Sequence, residues 1–159
     1  QNMAMIHPLS GPVVRYPCNF YFSSGGHVNR VFPCFIGRRF SIDFQHLEKE
    51  SIGNGLATLF VSGSTAALTT IEHEPGLIQD LKEFVEKIIP SDRRYHHDDR
   101  WGDDNGFSHL RASLFGPSLA IPIEHGRLCL GTWQQIVLLD FDNRARTREI
   151  TVQLMGESE

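Results

Sequence analysis

Apolar residues along this chain fall into short strand-like runs and one long stretch at helical spacing. From Pro12 to Phe22 and from Val31 to Phe44 the sequence is rich in Val, Phe, Tyr and Ile. Ser23-Ser24-Gly25-Gly26 lies between the two runs, so the pattern predicts two strands joined by a hairpin. Phe40, Ile42 and Phe44 alternate with Ser41 and Asp43, as a half-buried strand should. Gln45 to Ser51 reads as a short helix and Gly53-Asn54-Gly55 as a turn. Leu56 to Val61 and Ala66 to Ile71 are predicted strands on either side of the Ser62-Gly63-Ser64-Thr65 break. If the second strand ran on through Glu72-His73-Glu74, alternation would put both carboxylates on one face.

Leu77, Leu81, Phe84, Val85 and Ile88 recur at helical spacing between Gly76 and Ile89, with Pro75 suited to the first turn and Pro90 ending the run. Phe107 to Phe115 predicts a shorter helix, capped through Asn105 or Ser108 and closed by Gly116. Between the two helices lies Tyr95-His96-His97-Asp98-Asp99-Arg100-Trp101-Gly102-Asp103-Asp104-Asn105-Gly106, which has no continuous apolar face. We read it as a polar connection outside the core, on rigid supports of the kind that carry binding chemistry. Ser118 to Ile123, Arg127 to Leu130, Gln134 to Phe141 and Arg146 to Leu154 read as four further strands, with Glu124-His125-Gly126 and Asp142-Asn143-Arg144 as tight turns. Strands in runs, without strict βαβ alternation, predict an α+β domain: a mainly antiparallel sheet or sandwich with two or three helices packed on it.

Composition narrows the picture. A chain of 159 residues that is 40% hydrophobic makes one domain with a real core. The net charge of -4 and pI near 6.1 give no basic surface of the kind duplex nucleic acid demands, so no nucleic-acid partner is expected. Cys18, Cys34 and Cys129 form no C-x-x-C unit, which fits a reduced, cytoplasmic protein better than a disulfide framework or a cysteine zinc site. No run reaches the length of a membrane span, and Met3 to Ile6 is too brief for a signal-peptide core. Gln1 at the start reads as a cloning scar or a processed end, so the first few residues carry no weight here.

The polar connection holds the richest chemistry. His97 and His109 are the candidate metal ligands: neutral imidazole suits zinc, nickel or iron, while the neighbouring carboxylates suit magnesium or manganese. By composition alone, Asp98, Asp99, Asp103 and Asp104 are equally consistent with solvated acids. Ser64 and Thr65 sit in a Gly-Ser break whose hydroxyls and N–H groups suit an anion, although such a break is often only a turn. Gly131-Thr132-Trp133-Gln134 is a polar and aromatic interruption between apolar strands. Arg144, Arg146 and Arg148 alternate onto one strand face, by default a solvated one, though it is able to grip a phosphate. Ser64, Ser108 and Ser118 lack the strand-turn-helix context of a nucleophile elbow, and no P-loop or dinucleotide fingerprint is present.

Several ordered motifs carry a resemblance. Gly63-Ser64-Thr65-Ala66-Ala67-Leu68-Thr69-Thr70-Ile71-Glu72, Tyr95-x-His97-Asp98, Ser108-His109-Leu110-x-Ala112, Leu114-x-Gly116-x-Ser118 and Gly126-x-Leu128-x-Leu130-Gly131-Thr132-Trp133-Gln134 together resemble the YjbQ family, also known as secondary thiamine-phosphate synthase. The resemblance spans residues 55–156, leaving 1–54 as atypical N-terminal strands of a single 1–159 domain. It implies a small α+β homotrimer with clefts near the subunit boundaries. It also implies a transferase that joins a pyrimidine diphosphate to a thiazole phosphate, releasing pyrophosphate. The family positions map onto Glu72, His97, Asp98 and His109 as catalytic candidates, and onto Ser118, Thr132, Trp133 and Gln134 as binding candidates alongside Ser64 and Thr65. Many family members have a histidine where this chain has Gly63, a departure that argues against a three-histidine metal site and leaves two expectations: a mixed site of His97, His109 and a carboxylate around a divalent metal, magnesium or zinc, or no tightly bound metal at all. The alternatives are a metal-assisted phosphohydrolase using the same residues, and a non-catalytic trimer that binds a metal or small anion.

Overall fold

The computed structural model describes residues 10–19 and 35–39, as backbone, and residues 52–158. Along them run β1 (Ser10–Asn19), β2 (Phe35–Arg39), β3 (Ile52–Val61), β4 (Ala66–Ile71), α1 (Pro75–Ile88), α2 (His96–Trp101), α3 (Gly106–Phe115), β5 (Ser118–Glu124), β6 (Arg127–Leu128), β7 (Gln135–Asp140) and β8 (Thr147–Ser158). The strands form a five-stranded sheet, β1-β8-β3-β5-β6, and a three-stranded sheet, β2-β7-β4. Every pairing is antiparallel. The expected α+β architecture is therefore the observed one. None of the described helices is long and apolar enough to cross a membrane.

Two apolar clusters explain the strand patterns. Leu59, Val61, Ile121, Ile150 and Leu154 of the larger sheet meet Ala66, Leu68, Ile136 and Leu138 of the smaller one. On the opposite face of the smaller sheet, Ala67, Val137 and Leu139 pack against Val85 of α1, Ala112 of α3 and Phe141. β7 is thus covered on both sides, which is why Ile136 to Leu139 is unbroken by polar residues. Each Leu or Ile buried this way contributes about 1.5–3 kcal/mol.

α1 begins where Pro75 and its neighbours predict. Its cap is Glu74, whose carboxylate accepts from the Gly76 N–H at 2.7 Å and from that of Leu77. β4 consequently ends at Ile71, and the strand extension that would have aligned Glu72 with Glu74 is not made. A side-chain cap of this kind is worth about 1 kcal/mol, and Pro75 has no N–H to extend the ladder.

Four other expectations are corrected. β1 and β2 do not pair as a hairpin: β1 lies against β8 and β2 against β7, in different sheets. The turn at 23–26, the alternation at 40–44 and the helix at 45–51 lie outside the described residues. Gly53-Asn54-Gly55 is not a turn but part of β3, where a register shift falls between Ile52 and Asn54. Gly55 faces Gly156 across the sheet, and a Cβ at Gly55 would lie 2.7 Å from the Gly156 Cα, so this glycine serves close approach of two strands. Asp142-Asn143-Arg144 has turn chemistry, the Asp142 carboxylate accepting the Arg144 N–H at 3.0 Å, yet it leads from β7 in one sheet to β8 in the other. Lastly, the polar connection contains α2, and Tyr95, Asp98 and Asn105 within it are buried.

Candidate functional site

α2 is too short to hold itself together, and Asp98 supplies what helix propensity does not. One carboxylate oxygen accepts the Tyr95 N–H at the start of α2 and the other the Gly106 N–H at the start of α3, both at 2.9 Å. Tyr95 is anchored in turn by its hydroxyl, which donates to the Pro90 carbonyl at 2.6 Å. Burial alone would push the Asp98 carboxyl up, but these two N–H groups and the nearby His97 hold it below the usual carboxylate range. Gly102 closes α2 in the left-handed region at φ 65°, turning the chain back so that Asp103 comes beside His97.

The result is a compact cluster. His97 Nδ1 lies 3.4 Å from Asp103 Oδ1 and 3.8 Å from Asp98 Oδ1. Ligand atoms of these three residues all fall within 4.8 Å of one another. Both His97 Nδ1 and Asp103 Oδ1 are buried with no hydrogen-bond partner among the described residues. His109, on α3, meets His97 ring to ring with centroids 4.4 Å apart. Burial and the neighbouring His97 both press the His109 pKa below the ordinary imidazole value.

α3 is seated by hydrogen bonds to the smaller sheet. Ser108 donates its hydroxyl to the Phe141 carbonyl at 2.5 Å, and the Leu68 N–H donates to Gly116 O at 3.0 Å. Asn105 occupies the cap position, but its side-chain oxygen accepts the Asn143 N–H at 3.3 Å, tying the 142–143 loop to the cluster. Between α3 and the 62–65 loop lies a cleft of about 220 Å³, lined by Gly63, Ser64, His109, Ala112, Ser113 and Pro117 among others.

Beside that cleft is a buried ionic network. Arg148 donates to both oxygens of Asp140 at 2.7 and 2.8 Å and to the Thr65 hydroxyl at 2.7 Å. The Thr65 hydroxyl donates to Asp142 Oδ2 at 2.8 Å, and Arg146 reaches the same oxygen at 3.0 Å. Burial would raise the Asp142 carboxyl, but Thr65, Arg146 and the Arg144 N–H hold it low. Arg148 is thus not on the solvated face that its alternation with Arg144 and Arg146 predicted; it is 7% exposed.

Comparison with known proteins decides the family. The model of the UPF0047 protein YjbQ-like family matches residues 44–157. The chain belongs to the YjbQ family. A UPF0047 protein of Archaeoglobus fulgidus is 42% identical over 102 residues, 64% of this chain and 79% of that protein. One from Methanothermobacter thermautotrophicus is 38% identical over 111 residues, 70% of this chain and 76% of that protein. The solved structure of a YbjQ-like protein of unknown function from Sulfolobus solfataricus is 33% identical, with a TM-score of 0.70 over 92% of this chain and 100% of that one. A hypothetical protein from Aeropyrum pernix superposes with a TM-score of 0.77 at 26% identity, over 92% of this chain and 100% of that one.

Within this YjbQ-family fold the candidate residues divide between the two ends of the smaller sheet. His97, Asp98 and His109 are together, with Ser64 lining the cleft. Ser118 is the exposed first residue of β5, directly after Pro117 of the cleft wall. Thr65 lies at the same end but is buried, its hydroxyl held by Asp142 and Arg148. Glu72, Thr132, Trp133 and Gln134 are elsewhere. β4 and β7 run from the pair Ala66–Asp140 beside the cleft to Ile71–Gln135 at the far end, a distance of roughly 17 Å for that many residues. Gln134 is used there by Thr70, whose hydroxyl accepts its amide at 2.8 Å, and Trp133 is 70% exposed. Sequence reasoning missed Asp103 and Arg148 as site residues. Nothing local marked Asp103 among four similar acids, whereas an Arg in register with an apolar alternation, Ile150, Val152 and Leu154, was a legible sign of an inward face.

Proposed function

We propose that this YjbQ-family chain acts on a small phosphorylated molecule at the cluster of His97, Asp98, Asp103 and His109, with a divalent ion held between His97 and Asp103. The observation that carries the reading is the pair of buried, unpartnered atoms His97 Nδ1 and Asp103 Oδ1 at 3.4 Å. Two ligands each about 2.1 Å from a tetrahedral ion stand roughly 3.4 Å apart, so the donor set fits such an ion. An imidazole in the set favours zinc or a similar transition ion over magnesium. Asp98, already engaged by two backbone N–H groups, serves to orient the pair. When bound, the ion would neutralise charge on a phosphoryl or diphosphate oxygen.

The chain's own residues supply the rest. His109, stacked on His97 and facing the cleft, is the group placed to accept or return a proton. Ser64 offers a hydroxyl at the mouth of the same cleft. The reaction in view is the transfer named by the family resemblance: a thiazole nitrogen bonds to the pyrimidine methylene carbon as the carbon–oxygen bond to diphosphate breaks, giving thiamine phosphate and pyrophosphate. Glu72, Trp133 and Gln134 would join such a site only from a neighbouring copy, as the homotrimer implied by the resemblance would permit. A non-catalytic metal- or anion-binding trimer is the second reading, favoured by the roughly 17 Å between the two ends within one chain. A metal-assisted phosphohydrolase would use the same residues and differ in its products.

The test is metal analysis of untagged protein, for the parent, His97→Ala/His109→Ala and Asp103→Asn, with pyrophosphate release measured alongside. Stoichiometric metal lost in both variants is expected, together with turnover reduced on the order of 10²-fold or more. Metal without turnover would leave the binding-protein reading; neither metal nor turnover in the parent would sink the proposal.

A further inference from the structure

We infer that the cleft beside His109 is a phosphate subsite whose cation is Arg148, reached across Gly63. The inference deepens the reading above and rests on its small phosphorylated ligand. Arg148 is clamped at Nε and Nη2 by Asp140, Thr65 and Asp142, so its guanidinium is held in one orientation. Nη1, the nitrogen outside those bonds, lies 2.8 Å from where a Cβ on Gly63 would stand. Gly63 is therefore both a wall of the cleft and a neighbour of this nitrogen.

Glycine is at this position for space. Its backbone is not in the left-handed region, where Gly102, Gly116 and Gly126 are found, so conformation alone would accept another residue. What an added side chain would meet is the tip of Arg148. The charges beneath are balanced, Asp140 and Asp142 against Arg146 and Arg148, so an incoming anion meets no excess of negative charge. The residues lining the cleft include no carboxylate; its polar groups include the Ser64 hydroxyl and the His109 ring. At about 220 Å³ the cleft takes a phosphoryl group together with the atoms next to it, since a single water occupies only about 30 Å³ of liquid. His109 then stands between the two halves of the site, phosphate cleft on one side and His97 with its carboxylates on the other.

The experiment is calorimetric titration of the full chain with inorganic phosphate and with pyrophosphate, in EDTA so that bound metal plays no part. The parent is expected to bind at least one of them. Gly63→Ala is expected to bind it roughly tenfold or more weakly, because a hydrogen bond from a charged donor is displaced. Because Arg148 is clamped, the methyl displaces the exposed 62–64 backbone rather than the guanidinium, so Gly63→Ala is expected to fold with a slightly lower melting temperature. Should that variant not fold, Ser64→Ala, which strips a hydroxyl from the exposed cleft wall and leaves the buried network intact, is expected to weaken binding of the same anion several-fold. Absence of phosphate and pyrophosphate binding by the parent, or unchanged affinity in Gly63→Ala, would overturn the subsite. Zinc titration of the same samples separates the two ideas: zinc held equally by parent and Gly63→Ala while anion affinity falls supports the subsite. Anion binding lost in Gly63→Ala but no zinc bound by the parent would also support it, and would remove the metal from the proposed function instead.

Discussion

The two ends of the three-stranded sheet are built on opposite terms. At the Ala66–Asp140 end, Arg148 is answered by Asp140, Asp142 by Thr65 and Asp98 by two backbone N–H groups, all buried, while His97 Nδ1 and Asp103 Oδ1 are buried without a hydrogen-bond partner among the described residues. At the Ile71–Gln135 end the polar bonds are neutral and exposed, Gln134 donating to the Thr70 hydroxyl and accepting the Gly131 N–H, and Trp133 stands in solvent. Burying a charge is tolerated only with its partners in place, so the first end depends on its buried ionic network. The second is held by neutral bonds near solvent, and its exposed indole offers contact area to something outside the chain. Chemistry is therefore expected at the first end and recognition at the second.

The comparison breaks most severely if Arg148 is replaced. Arg148→Met leaves Asp140 buried without its main partner and takes a weaker one from Asp142, and a loss of about 3–5 kcal/mol is expected in urea denaturation. A loss under about 1 kcal/mol would mean that water reaches the network and the first end is not the dry region described. Next is Asp98→Ala, which strips the N–H groups of Tyr95 and Gly106 of their acceptor. About 2 kcal/mol or more should be lost, with faster amide exchange in α2 and at the start of α3.

Acid should act on the same end. Asp98, Asp142 and Glu86 all have carboxyl pKa values held below the ordinary one, so their contribution is fully present above the unfolded value near 4. It is lost as pH falls through the folded values. Stability is expected to hold from neutrality down to about pH 5 and then to decline, with a shallower decline in Asp142→Asn. A melting temperature that does not respond between pH 5 and pH 3 would contradict the burial of Asp98 and Asp142.

The smallest effects belong to the far end. Thr70→Val should cost about 1 kcal/mol or less, and Trp133→Ala should stay within about 0.5 kcal/mol for a chain on its own. If Trp133→Ala instead lowers the melting temperature by several degrees and changes the mass seen by light scattering, the indole is covered by another copy. That outcome would sharpen the contrast, since the exposed end would then be an interface.

Much of the fold was legible where neighbours in sequence are neighbours in space. β4 matches its predicted span, from the β-branched run to the residue, and α1 starts at Pro75 because proline belongs in a first turn. Gly55 shows the limit. Gly-Asn-Gly is good turn chemistry, but the deciding contact is with Gly156, far along the chain. The site divides in the same way. His97, Asp98 and His109 were visible as residue types, whereas Asp103 became a partner of His97 only through the left-handed turn at Gly102.

The chain by itself determined most of the strands, the helices at Pro75–Ile88 and Gly106–Phe115, and that they would make an antiparallel α+β domain. Those follow from local sterics and from periodicity, which every segment carries within itself. Tertiary structure alone decided that β1 and β2 lie in separate sheets, that Asp103 comes beside His97, and that Glu72 and Trp133 stand far from His97 in the same chain. Strand partners are chosen by burial against residues dozens of positions away, and no local pattern encodes that choice.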